Sequence, residues 1–140
     1  MSTTRAQQPR APSVIQETSS PSVSVFWLDM QEVRRRLRGA ARLLAAFHPE
    51  IEEVWLFGSL ARGDAVPGSD ADILIVLASS DLPFPERSVC YQPEFCGIGA
   101  DVLAHTRAEL QRMRSEGNPF LRQIEGERVA LWQRHAAGSL

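Results

Sequence analysis

The chain contains 140 residues, of which 23% are charged, and it carries a formal net charge of −2 at pH 7. This length is typical of a single domain, and so small a net charge gives no general attraction to nucleic acid or to acidic membranes. Its two cysteines are too few for a disulfide framework, and no apolar run reaches the roughly 20 residues that a membrane span requires. We therefore expect a cytoplasmic protein without a membrane partner.

The beginning of the chain differs in composition from the rest. Residues 1–24 are rich in Ser, Thr, Pro and Gln and contain few side chains that could pack into a core. Such a composition cannot offset the entropy that is lost on ordering. We therefore expect a disordered tail over residues 1–24, followed by one folded domain over residues 25–140.

The first regular element of that domain is a helix. Between Met30 and Phe47 apolar residues recur at steps of three and four, which predicts an amphipathic helix, with Asp29 as its candidate N-cap and Pro49 just beyond its end. Five arginines fall mainly on the other side and leave nucleic-acid binding open as an alternative function. A solvated helix face explains them more simply, because no interleaved aromatic residues could stack on bases.

The later elements alternate between short strands and short helices. The sequence predicts a strand over 51–57, a short helix over 59–62, a strand over 70–77, a segment that is mostly loop over 78–97, and a strand over 99–106. A capping box of Thr106 and Glu109 then predicts a helix to about 114. A second short helix from 119 to about 124, which Gly126 ends, and a last strand over 128–134 follow. This order predicts an α/β (α+β) protein with a small mixed β-sheet flanked by helices.

Two acidic residues, Asp70 and Asp72, stand at the head of the most hydrophobic run of the sequence, residues 73–77. Charge at the edge of a buried strand costs stability unless it is neutralised. Because side chains alternate along a strand, both carboxylates point to one face, where they would form the hard-oxygen site that Mg²⁺ prefers. The alternative is structural: Asp70 caps a turn, and Asp72 is only exposed at a strand start.

Further residues favour the metal-site interpretation. Gly58 and Ser59 lie at a strand-to-helix turn, where free backbone N–H groups attract phosphate and where a bare glycine backbone allows close approach. Arg62, one turn later, could donate two hydrogen bonds to a phosphate. Asp101 lies inside another apolar strand. A third carboxylate that converges on the first two would complete the arrangement used in two-metal phosphoryl or nucleotidyl transfer.

These residues carry a family resemblance. Gly58-Ser59, ten residues and Asp70-x-Asp72 resemble the GSx10DxD signature of the DNA polymerase β-like nucleotidyltransferase superfamily. The longer run GSLARGDAVPGSDADILIV is similar to the pattern of its minimal nucleotidyltransferase (MNT) branch, and the resemblance extends from about residue 30 to the C-terminus. The matching positions are Gly58, Ser59, Ala61, Arg62, Gly63, Ser69, Asp70, Asp72 and Val76.

The resemblance implies a polymerase β-like nucleotidyltransferase fold and the transfer of a nucleoside monophosphate from a nucleoside triphosphate to a hydroxyl. ATP is the usual substrate in that family. By resemblance, the nucleotide-binding residues would be Gly58, Ser59, Arg62 and Ser69. Asp70 and Asp72 would hold one Mg²⁺, and Asp72 and Asp101 a second. Asp101 is then also the candidate general base.

The resemblance also suggests a partner. MNT proteins of this size are often antitoxins that neutralise a HEPN-type toxin, both by forming a complex and by attaching AMP to it. Alternative interpretations are transfer to a small-molecule hydroxyl, with the acceptor site built in an oligomer, and a non-catalytic antitoxin or binding module. The intact set of three carboxylates argues against the non-catalytic alternative.

Overall fold

The computed structural model describes residues 15–19, 24–93 and 97–135. The elements in chain order are β1 (Ile15–Ser19), β2 (Ser24–Leu28), α1 (Met30–Phe47), β3 (Ile51–Phe57), α2 (Ser59–Arg62), β4 (Ala71–Leu77), α3 (Phe84–Cys90), β5 (Ala100–Thr106), α4 (Arg107–Ser115), α5 (Pro119–Glu127) and β6 (Val129–Gln133).

The main sheet is mixed, as predicted. Its strand order is β5-β4-β3-β6, with β4 and β5 parallel and β3 antiparallel to both β4 and β6. Helix α1 packs on one face, where Val33 and Leu37 join the core residue Ile75. Helices α4 and α5 pack on the other face, where residues such as Leu110 and Leu121 lie in a second cluster. The middle of β4 is buried on both sides, which explains its uninterrupted hydrophobic sequence.

The predicted helix boundaries are largely confirmed, and their caps show why. The side chain of Asp29 accepts a hydrogen bond from the backbone N–H of Glu32 at 3.1 Å and so begins α1. The predicted capping box at the start of α4 is present in full, with Thr106 and Glu109 each bonded to the other's backbone N–H. Each such cap satisfies donors that the first helical turn would otherwise leave unpaired.

Two local predictions differ from the structure. The segment 78–97, which the sequence predicts to be mostly loop, also contains α3, which begins with Pro83 as its N-cap and a proline in its first turn, where proline's missing N–H costs nothing. Helix α5 does not end before Gly126 but continues to Glu127. A glycine inside a helix costs about 1 kcal/mol, which the burial of Leu121 and Ile124 on the same helix can offset.

Strands β1 and β2 form a separate antiparallel pair, with Ile15 opposite Leu28 and Ser19 opposite Ser24. Neither strand is predicted from the sequence, and β1 lies within the expected disordered tail. Residues 1–14 and 20–23 of that tail lie outside the described residues, so its disorder and the domain boundary at residue 25 stay predictions. The run 25–27, which is β-branched and aromatic, favours extended chain.

None of the helices in the described residues is long and apolar enough to cross a lipid bilayer.

Candidate active site

The candidate site lies at the edge of the main sheet where β3 ends and where β4 and β5 begin. In the strand register Phe57 is opposite Asp72, and Asp72 is opposite Asp101. The turn that starts with Gly58 therefore lies next to two carboxylates on adjacent strands. Residues that are far apart in sequence meet here because β4 and β5 are parallel and in register.

Gly58 is required at this turn for two reasons. Its φ of 75° lies in the left-handed region, which side chains other than glycine rarely adopt. A Cβ atom at this position would also collide with the carboxylate of Asp72. The short helix α2 begins directly afterwards, and its Ala61 and Arg62 N–H groups donate to the Gly58 carbonyl at 3.0 Å.

Asp70 precedes β4 and is placed by a second glycine. The Ala71 N–H donates to the Gly99 carbonyl at 2.8 Å, and a Cβ atom on Gly99 would collide with the Asp70 carboxylate. Asp70 is exposed and does not line the cleft beside Asp72. Ser69, a predicted nucleotide-binding residue, instead accepts a hydrogen bond from the Val66 N–H at 3.2 Å through its hydroxyl, which places it in the preceding turn.

The electrostatics of Asp72 distinguish it from an ordinary surface acid. Burial raises the pKa of Asp72, the negative charges of Asp101 and Asp70 raise it further, and Arg62 opposes the shift. In the part of the chain that the structure describes, no donor hydrogen-bonds to any of these three carboxylates. The sheet edge thus gathers negative charge that is only partly compensated.

This charge fits a divalent cation by its chemistry. Carboxylate oxygens are the ligands that Mg²⁺ prefers, and one or two protein carboxylates are sufficient when phosphates and water complete the shell. Among residues 15–19, 24–93 and 97–135, no three Asp, Glu, His or Cys side chains come together in a geometry that would hold an ion by themselves. The carboxylates of Asp72 and Asp101 therefore fit a divalent cation only where further oxygens, from a ligand or from water, complete its shell.

A cleft of about 500 Å³ opens beside this edge. One side is polar and contains Gly58, Ser59, Arg62 and the two facing aspartates, whereas the opposite side is formed mainly by α5. The residues that line the cleft are Phe57, Gly58, Ser59, Arg62, Asp72, Asp101, Leu103, Phe120, Gln123, Ile124 and Glu127.

Glu127 also lines the cleft and is not predicted as a site residue from the sequence. Its carboxylate accepts a hydrogen bond from the Gly58 N–H at 2.5 Å and pairs with Nη1 of Arg62 at 3.1 Å. Burial alone would raise the pKa of Glu127, but hydrogen bonds from Gly58, Arg62 and Gln123, together with the positive charge of Arg62, lower it overall. The contact joins residues 69 positions apart, so no local sequence pattern indicates it. A prediction that extended α5 through Gly126 would have placed Glu127 on the same helix as the residues that line the cleft.

Comparison with known proteins agrees with this architecture. The sequence matches the model of a nucleotidyltransferase domain over residues 37–132, and no curated protein matches the chain. A candidate nucleotidyltransferase from Sulfolobus solfataricus is similar in structure, with 24% identity, a TM-score of 0.56 and coverage of 75% of this chain and 84% of that one. A toxin–antitoxin structure with AMP-PNP is also similar, with 21% identity, a TM-score of 0.51 and coverage of 70% and 74%.

At these identities the two structures show likeness of fold alone, and they confirm the expected α+β architecture of a nucleotidyltransferase. The family model spans more than half of the sequence and includes Gly58, Asp72 and Asp101. The chain therefore belongs to the nucleotidyltransferase domain family.

Proposed function

We propose that this protein transfers AMP from ATP to a hydroxyl group of a partner protein in a Mg²⁺-dependent reaction, and that it is the antitoxin of a HEPN/MNT toxin–antitoxin pair. The observation that carries the catalytic part is the pairing of Asp72 with Asp101 directly beside the Gly58 turn. The family membership supports nucleotidyl transfer in general. The structural likeness to a toxin–antitoxin with AMP-PNP supports the choice of nucleotide and partner.

In the proposed reaction the turn and the sheet edge have separate tasks. The N–H groups at Gly58 and Ser59, together with the Arg62 guanidinium, hold the β- and γ-phosphates of ATP. Asp72 would hold one Mg²⁺ together with Asp70 and a second together with Asp101. When bound, these ions neutralise phosphate charge and lower the pKa of the attacking hydroxyl.

The chemical step exchanges one phosphoester bond for another. The acceptor oxygen forms a bond to the α-phosphorus, and the bond from that phosphorus to the oxygen that bridges to the β-phosphate breaks, so that pyrophosphate leaves. Asp101 is exposed and is the candidate to accept the proton of the hydroxyl. Because no covalent enzyme intermediate is involved, rate enhancement comes from in-line positioning and from stabilisation of charge.

This chain's own tyrosine is a poor candidate for the acceptor. Tyr91, the single tyrosine of the sequence, is buried, and its hydroxyl donates to Oε2 of Glu50 at 2.5 Å. Burial and the neighbouring Glu50 raise the pKa of that hydroxyl, so it is both inaccessible and a poor nucleophile. If the acceptor hydroxyl is that of a tyrosine, the tyrosine would therefore belong to the partner protein.

The test is co-expression with the product of the neighbouring gene, followed by the intact mass of the purified neighbour. We expect whole AMP increments with the wild-type chain and none with Asp72→Asn. If the neighbour forms a stable complex but keeps its unmodified mass with both the wild-type protein and Asp72→Asn, AMP transfer is contradicted and a binding-only antitoxin is favoured. If neither a complex nor an increment forms, the protein partner is wrong, and labelled ATP with small hydroxyl compounds becomes the next assay.

A further inference from the structure

Helix α5 presents a single stripe of side chains to the cleft. Phe120, Gln123, Ile124 and Glu127 all line it, and their spacing of three, four and seven residues places them on one helix face. Leu121 on the same helix is buried in the core, which fixes how the stripe is oriented. The stripe therefore forms a continuous wall with acid at one end and an aromatic ring at the other.

The aromatic end of the stripe is open to solvent. Phe120 is 47% exposed, although its ring packs edge-to-face on Phe57, with centroids 6.0 Å apart and an interplanar angle of 86°. Phe57 is itself buried and is the residue just before the Gly58 turn. The contact holds Phe120 in one orientation at the cleft wall and leaves almost half of its surface to a ligand.

The distance along the stripe suits one kind of ligand. Glu127 accepts hydrogen bonds from the Gly58 N–H and from Arg62, which are two of the three groups that the proposed function assigns to phosphate. Phe120 lies seven residues away, which is about 10 Å along a helix. This is comparable with the length of the ribose and phosphate chain that separates the terminal phosphate of a nucleoside triphosphate from its base. Gln123 lies between the two ends. Its side chain hydrogen-bonds the Glu127 carboxylate, and the amide has further donor and acceptor positions that a ligand can use.

We propose that Phe120 and Gln123 form the nucleobase subsite, with the Phe120 ring stacked on a purine and the Gln123 amide bonded to its edge. This inference rests on the proposed function, because the phosphate end defines where the base must lie. A flat π-system with donors and acceptors on its rim matches an aromatic face beside an amide, and a purine offers the larger stacking surface. The glycine turn and the aspartates cannot distinguish bases, so α5 supplies that discrimination.

The test compares the binding of ATP, UTP and inorganic tripolyphosphate in the presence of Mg²⁺ by calorimetry. We expect Phe120→Ala to weaken ATP about tenfold and UTP less, with the Kd of tripolyphosphate unchanged. Gln123→Leu should reduce the preference for ATP over UTP. The control is Phe47→Ala, because Phe47 is a phenylalanine at 73% exposure that does not line this cleft; it should change none of the three.

Phe120→Leu covers the case in which Phe120→Ala loses its fold, since leucine keeps apolar contact with Phe57 but has no π-face. Equal weakening of ATP and tripolyphosphate would overturn the inference, because the loss would then be one of the phosphate site. Unchanged ATP binding with lost AMP transfer would also overturn it and would assign Phe120 to the acceptor. If wild-type protein binds neither ATP nor tripolyphosphate, the proposed function itself fails.

Discussion

The two ends of β5 carry carboxylates in opposite electrostatic situations. Beyond its C-terminal end, Glu109 accepts hydrogen bonds from Nη1 of Arg87 at 2.7 Å, from Nη2 at 3.1 Å and from the Thr106 N–H at 3.0 Å. The bond from Arg87 is the main reason that the pKa of Glu109 falls to about 2. At the N-terminal end, Asp101 faces Asp72, whose pKa is raised by burial and by neighbouring acids.

The difference separates a carboxylate whose charge stabilises the fold from carboxylates whose charge is left largely uncompensated at the candidate site. A carboxylate with three donors favours its ionised form in the folded state and so adds to stability. A half-buried carboxylate that faces another one is opposed by its surroundings. Carboxylates whose pKa is perturbed by burial and by neighbouring charges are found preferentially at functional sites. Asp72 and Glu109 can be changed separately at the two ends, and Glu127 on α5 combines features of both.

The largest effect is expected from Asp72→Asn. Removing the carboxylate takes away a shared ligand of the proposed metal site, so AMP transfer should fall by at least about 10³-fold, since metal stabilisation of the transition state is worth several kcal/mol. The melting temperature should stay the same or rise, because burial and Asp101 oppose the ionised form of Asp72. Rate measurements with labelled ATP and thermal melts check both parts.

Asp81→Asn is the matched control for that variant, since Asp81 is exposed and lies outside the cleft. It should leave both rate and melting temperature unchanged. A large drop in stability of Asp72→Asn, or near-full activity, would contradict the assignment of Asp72 to function.

The second prediction concerns the other end of β5. Glu109→Gln leaves Arg87 buried without its charge partner, which should cost about 3 kcal/mol of unfolding free energy at pH 7. The folded pKa of about 2 lies below the ordinary value of 4.5, so the unfolded chain takes up the proton first as the pH falls. The stabilisation by Glu109 is therefore complete above pH 4.5 and is lost between pH 4.5 and about 2.

Urea denaturation between pH 2 and 7 measures this difference. The gap between wild type and Glu109→Gln should narrow as the pH falls through that window. Glu125→Gln is the control, because Glu125 pairs with an exposed arginine, Arg114, and should cost less than about 1 kcal/mol. A pH-independent gap would show that Glu109 stabilises α4 by its shape rather than by its charge.

The sequence predicts those parts of the site that depend on local pattern. The Gly58 turn, the position of Asp72 on a buried strand and the capping of α4 all follow from residues within one or two turns of each other. The predicted convergence of Asp101 on Asp72 agrees with the observed strand register. The sequence could suggest this convergence because a carboxylate inside an apolar strand adds nothing to core packing and so indicates a binding role.

What the sequence could not predict depends on distant contacts. The prolines near helix α3 indicated only a loop. The helix is tied to the rest of the fold by a hydrogen bond from Arg87 to Glu109, 22 positions away, and a local pattern does not reveal such a contact. Ser69 matches a family position but contacts its own turn through Val66. The role of Glu127 depends on a helix continuing through Gly126, where local propensity predicts an end.

The smallest effect is expected from Glu127→Gln. Glu127 combines the two situations, because it is a hydrogen-bonded carboxylate that lies in the candidate site. Glu127 is a partnered carboxylate, but its partners, the Gly58 N–H and Arg62, are the proposed phosphate donors. A phosphate must displace it and meets its negative charge, whereas glutamine keeps the shape and removes the charge. Tripolyphosphate and ATP should therefore bind roughly two- to fivefold more tightly to Glu127→Gln, in keeping with the modest strength of an accessible ion pair. Calorimetry with Glu125→Gln as the unchanged control on the same helix measures this, and weaker binding would instead mean that Glu127 holds Arg62 in place for the phosphate.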